Sequence, residues 1–207
     1  MIKLQSIKRS IIPGVWPEMP KKDQSTRKIT RPARPNKGIK RDGVPPPVIP
    51  GVMAQSMSTI EIALLKDASD ILEIQKEAFV GQAPIYDNYQ LPPIVQSLNS
   101  LKSDFTKYTF LKVVLNASII GSVRFKIVDG HVTIERLVVK PEHQNHGIGT
   151  DLMKAVESNN PDAESFQLFT GNKSERNIHI YEKLSYKTVY RETTDQGIEL
   201  LHMMKKP

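Results

Sequence analysis

The sequence predicts an α/β domain on a mixed, mostly antiparallel sheet, because from Thr59 onward segments of strand period alternate with segments of helical period. Two further observations sharpen this. Thr109 to Leu115, Ile119 to Val128 and Val132 to Val139 are consecutive strand candidates, with Asn116-Ala117 and Asp129-Gly130 as hairpin turns, which makes an antiparallel meander. The last strand then passes through a short polar loop directly into a helix.

In chain order, Thr59 to Leu65 reads as the first strand. Asp67 is placed to cap a helix whose Ala68, Ile71, Leu72, Gln75, Ala78 and Phe79 recur at helical spacing. Gly81 to Pro93, with Pro84, Pro92, Pro93, Tyr86 and Tyr89, reads as a loop leading to a helix at about Ile94 to Leu101. After the meander come a helix from Ile148 to Ser158, a strand from Phe166 to Phe169, a helix from Ser174 to Leu184, and two closing strands near Thr188 to Arg191 and Ile198 to Met203.

Composition divides the chain at about residue 56. Of 207 residues, the first 56 hold nine of the fifteen prolines and twelve Lys or Arg against three Asp or Glu. The rest holds seventeen against nineteen. Residues 1–56 lack apolar period and are expected to be a basic, Pro-rich, disordered tail, and residues 57–207 the folded domain. The net charge of +7 therefore belongs to the tail, and a nucleic-acid partner is expected only through it. With no cysteine, an acyl-cysteine intermediate and thiolate metal sites are excluded. No apolar run is long enough for a bilayer span, so a cytoplasmic location with no membrane partner is expected.

The chemistry concentrates in Leu137-Val138-Val139-Lys140-Pro141-Glu142-His143-Gln144-Asn145-His146-Gly147-Ile148-Gly149-Thr150. A strand, a glycine-bearing loop and a helix start place unpaired amides and the positive end of a helix dipole together, which suits a pyrophosphate. Neither the Gly-Lys-Ser/Thr ending of a nucleoside-triphosphate loop nor the dinucleotide fingerprint is present. His143 and His146 stand three apart with no third ligand evident, so no metal is expected.

Gln144-x-x-Gly147-x-Gly149 after Leu137-Val138-Val139 resembles motif A of the GNAT superfamily of N-acetyltransferases. Asn177-Ile178-His179-Ile180-Tyr181-Glu182-Lys183-Leu184-Ser185-Tyr186 is similar to its motif B, with Ser185 where the family usually has Gly. The resemblance covers about residues 59 to 205. It implies a sheet with two splayed central strands, acetyl-CoA as cosubstrate, and an amine acceptor, small molecule or peptide, in a monomer or homodimer. The backbone of Leu137, Val138 and Val139 would pair with the pantetheine arm, and Gln144, Asn145, His146, Gly147, Ile148, Gly149 and Thr150 would wrap the pyrophosphate. Asn177 and Tyr181 would face the pantetheine and the sulfur.

Tyr181 reads as a core residue by pattern alone, and with the motif as the acid for the departing thiolate. Glu135, on a strand face with Thr133, Leu137 and Val139, is either the base that deprotonates the amine or the partner of a nearby cation. A water-mediated base stays open beside it. Glu73 and Glu77, four apart on the first helix, and Asp87 are a solvated face or an anionic lining for the acceptor. A non-catalytic acyl-CoA-binding sensor is the alternative function.

Overall fold

A computed structural model describes residues 58–207; the tail expected over residues 1–56 lies outside them. The chain runs β1 (Thr59–Ile62), α1 (Ala68–Val80), α2 (Ala83–Tyr86), α3 (Pro92–Val95), α4 (Leu98–Asp104), β2 (Thr109–Leu115), β3 (Ser118–Val128) and β4 (His131–Val139). It continues through α5 (Ile148–Ser158), β5 (Ser165–Gly171), α6 (Glu175–Lys183), β6 (Lys187–Thr193) and β7 (Glu199–Lys205). The seven strands form one sheet in the order β1-β2-β3-β4-β5-β7-β6.

Every pairing is antiparallel except β4 with β5. That parallel ladder runs from His131 opposite Ser165 only to Ile134 opposite Leu168. Beyond it β4 continues to Val139 and β5 to Gly171 without pairing to each other, so the two central strands splay.

The meander follows its turns. Asn116 and Ala117 have φ of 50° and 62°, and Asp129 and Gly130 have 48° and 78°, left-handed values at two successive positions that match the twist of a tight hairpin. Helix α5 presents Leu152, Met153 and Val156 to the sheet, all fully buried, with Phe166, Leu168 and Met203 in the same cluster. Each such side chain contributes about 1.5–3 kcal/mol of burial. On the opposite face α1 and α4 pack Ile71, Ile74 and Leu101 against Phe110 and Val138.

Gly121 sets how closely α5 approaches the sheet. A Cβ there would lie 3.1 Å from the Val138 carbonyl oxygen and 3.3 Å from Ile148 Cγ2.

Three local expectations change. Asp67 does not cap α1; its carboxylate accepts from the Leu64 amide and from Lys112 Nζ, 2.8 and 2.9 Å away. Burial raises its pKa, but those two partners outweigh that and hold it below the ordinary carboxylate value. The second helix starts at Leu98 rather than Ile94, where Ser97 caps it by accepting the Ser100 amide. The alternation of β4 breaks at a bulge, in which Arg136 has φ 54° and the pairing jumps from Arg124–Glu135 to Ser122–Val138. Leu137 therefore joins the α5 face, and Val138, not Leu137, belongs to the cluster on Glu135's side of the sheet.

Candidate active site

The splay of β4 and β5 opens onto a cavity of about 580 Å³. Its wall includes the end of β4 at Leu137, Val138 and Val139, whose backbone groups toward β5 have no strand partner. Gln144, Asn145, Gly147, Ile148, Gly149 and Thr150 continue the wall into the first turn of α5. Asn177 and Ile180 of α6 close it on one side, and Phe79, Gln82 and Ile85 on another.

The loop before α5 is shaped for an anion. Asn145 and Gly147 have φ of 66° and 84°, flanking His146, an arrangement in which successive amides converge. Helix α5 then adds the unpaired amides of its first turn. Gly147 is required for its backbone angle; a Cβ there would meet only Asp151 Oδ2, 3.9 Å away. Gly149 instead turns its bare Cα toward Ile180 and Leu137, where a Cβ would sit in ordinary contact at 3.6 and 3.7 Å.

Two predicted ligands are placed differently from the rest. His146 is exposed and off the cavity wall. Gln144 lies on the wall with its side chain engaged: Nε2 donates to the Val139 carbonyl at 3.0 Å, and Oε1 accepts from Arg176. This ties the end of β4 to the start of α6.

Tyr181 lies behind the wall rather than on it. It is 6% exposed, within the α5-side core, its ring 6.1 Å from that of Tyr186. Burial alone pushes its phenol well above the ordinary value near 10, so the group stays protonated at any physiological pH.

Glu135 has the ionic partner that was one of its two expected roles. Arg124, directly across the β3–β4 ladder, donates Nη2 and Nε to Glu135 Oε2 at 2.7 and 3.2 Å, and Tyr108 Oη donates to Oε1 at 3.2 Å. The same guanidinium gives Nη1 to Asp104 at 2.5 Å.

Of the α1 carboxylates, Glu77 lines the cavity, while Glu73, and Asp87 after α2, are exposed away from it. Sequence reasoning missed the cationic side of the wall, formed by Lys173, Arg176 and Lys183. Their position beside Asn177 was the available signal. It also missed a strap beside the wall residues Ile85 and Ser174: Tyr86 Oη lies 2.8 Å from Ser174 Oγ, and Asn88 Nδ2 donates to Gln196 Oε1 at 2.8 Å.

Among the described residues no helix is long and apolar enough to cross a membrane, and no three His, Cys, Asp or Glu side chains gather as a metal site.

Comparison with known proteins agrees with this geometry. The yncA structure from Salmonella typhimurium, determined with its cofactor acetyl-CoA, superposes with a TM-score of 0.58 at 20% identity, covering 72% of this chain and 93% of that one. Among curated proteins, the uncharacterized N-acetyltransferase YjcF of Bacillus subtilis is 28% identical over 133 residues, 63% of this chain and 91% of YjcF. The UPF0157 protein YqkA of the same organism is 23% identical over 133 residues, 64% of this chain but 38% of YqkA. The family model for the acetyltransferase (GNAT) domain matches residues 86–207. The chain belongs to the GNAT family of acetyltransferases.

Proposed function

We propose that this domain transfers the acetyl group of acetyl-CoA directly to a primary amine, both substrates being bound together. The observation that carries the reading is the cavity in which unpaired β4 backbone, the first turn of α5 and a cationic rim are continuous. The residues present fit the cosubstrate: Leu137, Val138 and Val139 would pair with the pantetheine amides as an added strand would. The amides of Asn145 to Thr150 would take the pyrophosphate, with Lys173 and Arg176 adding charge. Bound there, acetyl-CoA supplies an acetyl group already activated as a thioester.

The protein's own part is to position the amine and manage two protons, one lost from the ammonium before attack and one lost as the amide forms. A lysine-like amine with pKa near ~10.4 is neutral about once in 2,500 molecules at pH 7, so a path for its proton is needed. Glu135 would act as base only by loosening its ion pair with Arg124, which leaves a water-mediated path as the lighter demand. That first proton goes to the base or to water; as the N–C bond forms and the C–S bond breaks, the second proton, released from nitrogen, ends on sulfur. Tyr181 is proposed as the hydrogen-bond donor toward that sulfur, a role that requires its hydroxyl to reach the cavity from behind the wall. Its raised pKa disfavours complete loss of its proton, so it serves as a donor rather than as the final proton source.

The burial of Tyr181 and the pairing of Glu135 favour a second reading, an acyl-CoA-binding module without acceptor chemistry. Free-thiol release with purified protein, acetyl-CoA and a panel of amines separates the two. Acceptor-dependent release supports transfer; calorimetric CoA binding with no release from any amine supports the module; absence of CoA binding removes both. Residues 1–56 are proposed to take no part in either.

A further inference from the structure

We propose that Arg136 receives an anionic group of the acceptor, so that the site takes amines that also carry a carboxylate. The inference rests on the transferase reading and assigns its substrate class.

Arg136 occupies the bulge in β4 with a left-handed backbone, which re-aims its side chain out of the regular pleat. Arg136 is not itself on the cavity wall, but its guanidinium carbon lies 5.9 Å from the centroid of the Phe79 ring, and Phe79 lines the cavity where α1 ends. Its Nε is sealed from solvent with no hydrogen-bond partner. Among the described residues no ion pair satisfies the group either. The carboxylates whose field reaches it, Glu135 and Asp104, are both paired with Arg124.

A guanidinium in this position is an open electrostatic demand. Burial, with the like charge of Arg124 added, lowers its pKa to about 10, so it stays cationic at neutral pH. Arg136 is half-buried, with Nε alone sealed; withdrawing even part of such a charge from water without a partner is unfavourable, and a planar fork of donors is matched best by a carboxylate.

The phosphates of the cosubstrate would not compete for it. On the proposed reading they would have the α5 turn, whereas Arg136 stands three residues, about 10 Å of strand, before the end of β4. It lies level with the opening of the splay, two residues past the last β4–β5 pair at Ile134.

The test is calorimetry on the full chain, with and without saturating CoA. The probes are product-like pairs: N-acetylglycine, N-acetylglutamate and Nε-acetyllysine, each against its carboxamide. At least one acid is expected to bind tenfold or more tightly than its carboxamide. Arg136→Gln should erase that ratio while CoA affinity stays within twofold, and Arg136→Lys should retain part of it. Equal binding of every acid and carboxamide, no binding of any acid, or a preference that survives Arg136→Gln overturns the proposal. If Arg136→Gln fails to fold, judged by its melting profile, the Lys variant carries the test, with a loss of about three- to tenfold expected and no loss counting against the proposal. Absence of CoA binding in the wild type would remove the transferase reading instead, and the titrations without CoA would still read the carboxylate preference.

Discussion

The two sides of the cavity are made of different material. From Leu137 through α5 to Asn177 the wall is largely backbone: an unpaired strand edge, left-handed loop residues and a helix start. Around the end of α1 it is side chains, Glu77, Phe79, Gln82 and Ile85, and off the wall on that face stands an ionic cluster of Arg124, Glu135, Asp104, Tyr108 and Arg136, whose meaning depends on which cation holds which carboxylate. Backbone recognition demands glycines and a strand-to-helix junction at fixed spacing, and it suits a ligand whose chemistry never changes. A side-chain cluster can be re-assorted without altering the fold, which suits the partner that varies.

The largest effect expected falls at Tyr181, behind the backbone-built side. Tyr181→Phe keeps the ring that packs against Tyr186 and removes only the hydroxyl. As a donor to the leaving sulfur it should cost about 10² in turnover, the low end for a positioned acid, with CoA affinity unchanged within a few fold. Steady-state rates with the best acceptor, paired with calorimetry, make the measurement. Undiminished turnover would assign Tyr181 to the core and give both proton steps to the amine and water.

On the backbone side, Gly147 and Gly149 should respond differently. Gly147→Val forces a β-branched residue to φ 84°, a strain of about 1–2 kcal/mol, and CoA affinity should fall tenfold or more as the loop shifts. Gly149→Ala places its methyl in ordinary contact with Ile180 and Leu137, so affinity should hold within a few fold. Equal losses at both positions would mean that bulk, not backbone conformation, governs the loop.

What was legible in the sequence follows the same division. The span Ile148–Ser158 of α5, the meander with its two turns, and the glycine loop all have local causes, namely period, turn dipeptides and a helix start. The pairing of Glu135 was legible only as an alternative, because its partner Arg124 stands eleven residues away and faces it through strand register. The bulge went unread although it has a local sign: the alternation Val132-Thr133-Ile134-Glu135 calls for an apolar residue next, and the sequence has Arg136 followed by the unbroken apolar run Leu137-Val138-Val139. The strap was invisible for a simpler reason, since Tyr86 and Ser174 meet across 88 positions.

That strap offers a smaller test of the acceptor side. A Cβ at Gly171 would lie 2.1 Å from Tyr86 Oη, so Gly171→Ala must displace the tyrosine. Acceptor KM is expected to change several fold while CoA affinity does not. Gly171→Ala combined with Tyr86→Ala should be no worse than Tyr86→Ala alone, the non-additivity of residues in contact. Additive effects would break the assignment of the strap to acceptor binding.

The smallest effect belongs to Ser185, where the family's usual glycine is missing. The end of α6 is nonetheless a complete glycine-type cap: the Ser185 amide donates to the Glu182 carbonyl and the Tyr186 amide to the Tyr181 carbonyl, both at 2.9 Å, with the Tyr181 and Tyr186 rings in contact across it. Ser185 meets the requirement by adopting φ 73° at an exposed position. A non-glycine residue there bears about 1–2 kcal/mol of steric cost, against which glycine's extra chain entropy is about 0.5–1 kcal/mol. Ser185→Gly should therefore stabilise the domain by about 0.5–1 kcal/mol, raising Tm by roughly 1–4 °C. Because the cap anchors Tyr181 by its carbonyl and leaves its hydroxyl untouched, turnover should not change. A stabilised variant with altered turnover would show that the rigidity of this turn, and not only the hydroxyl of Tyr181, is tuned to the reaction.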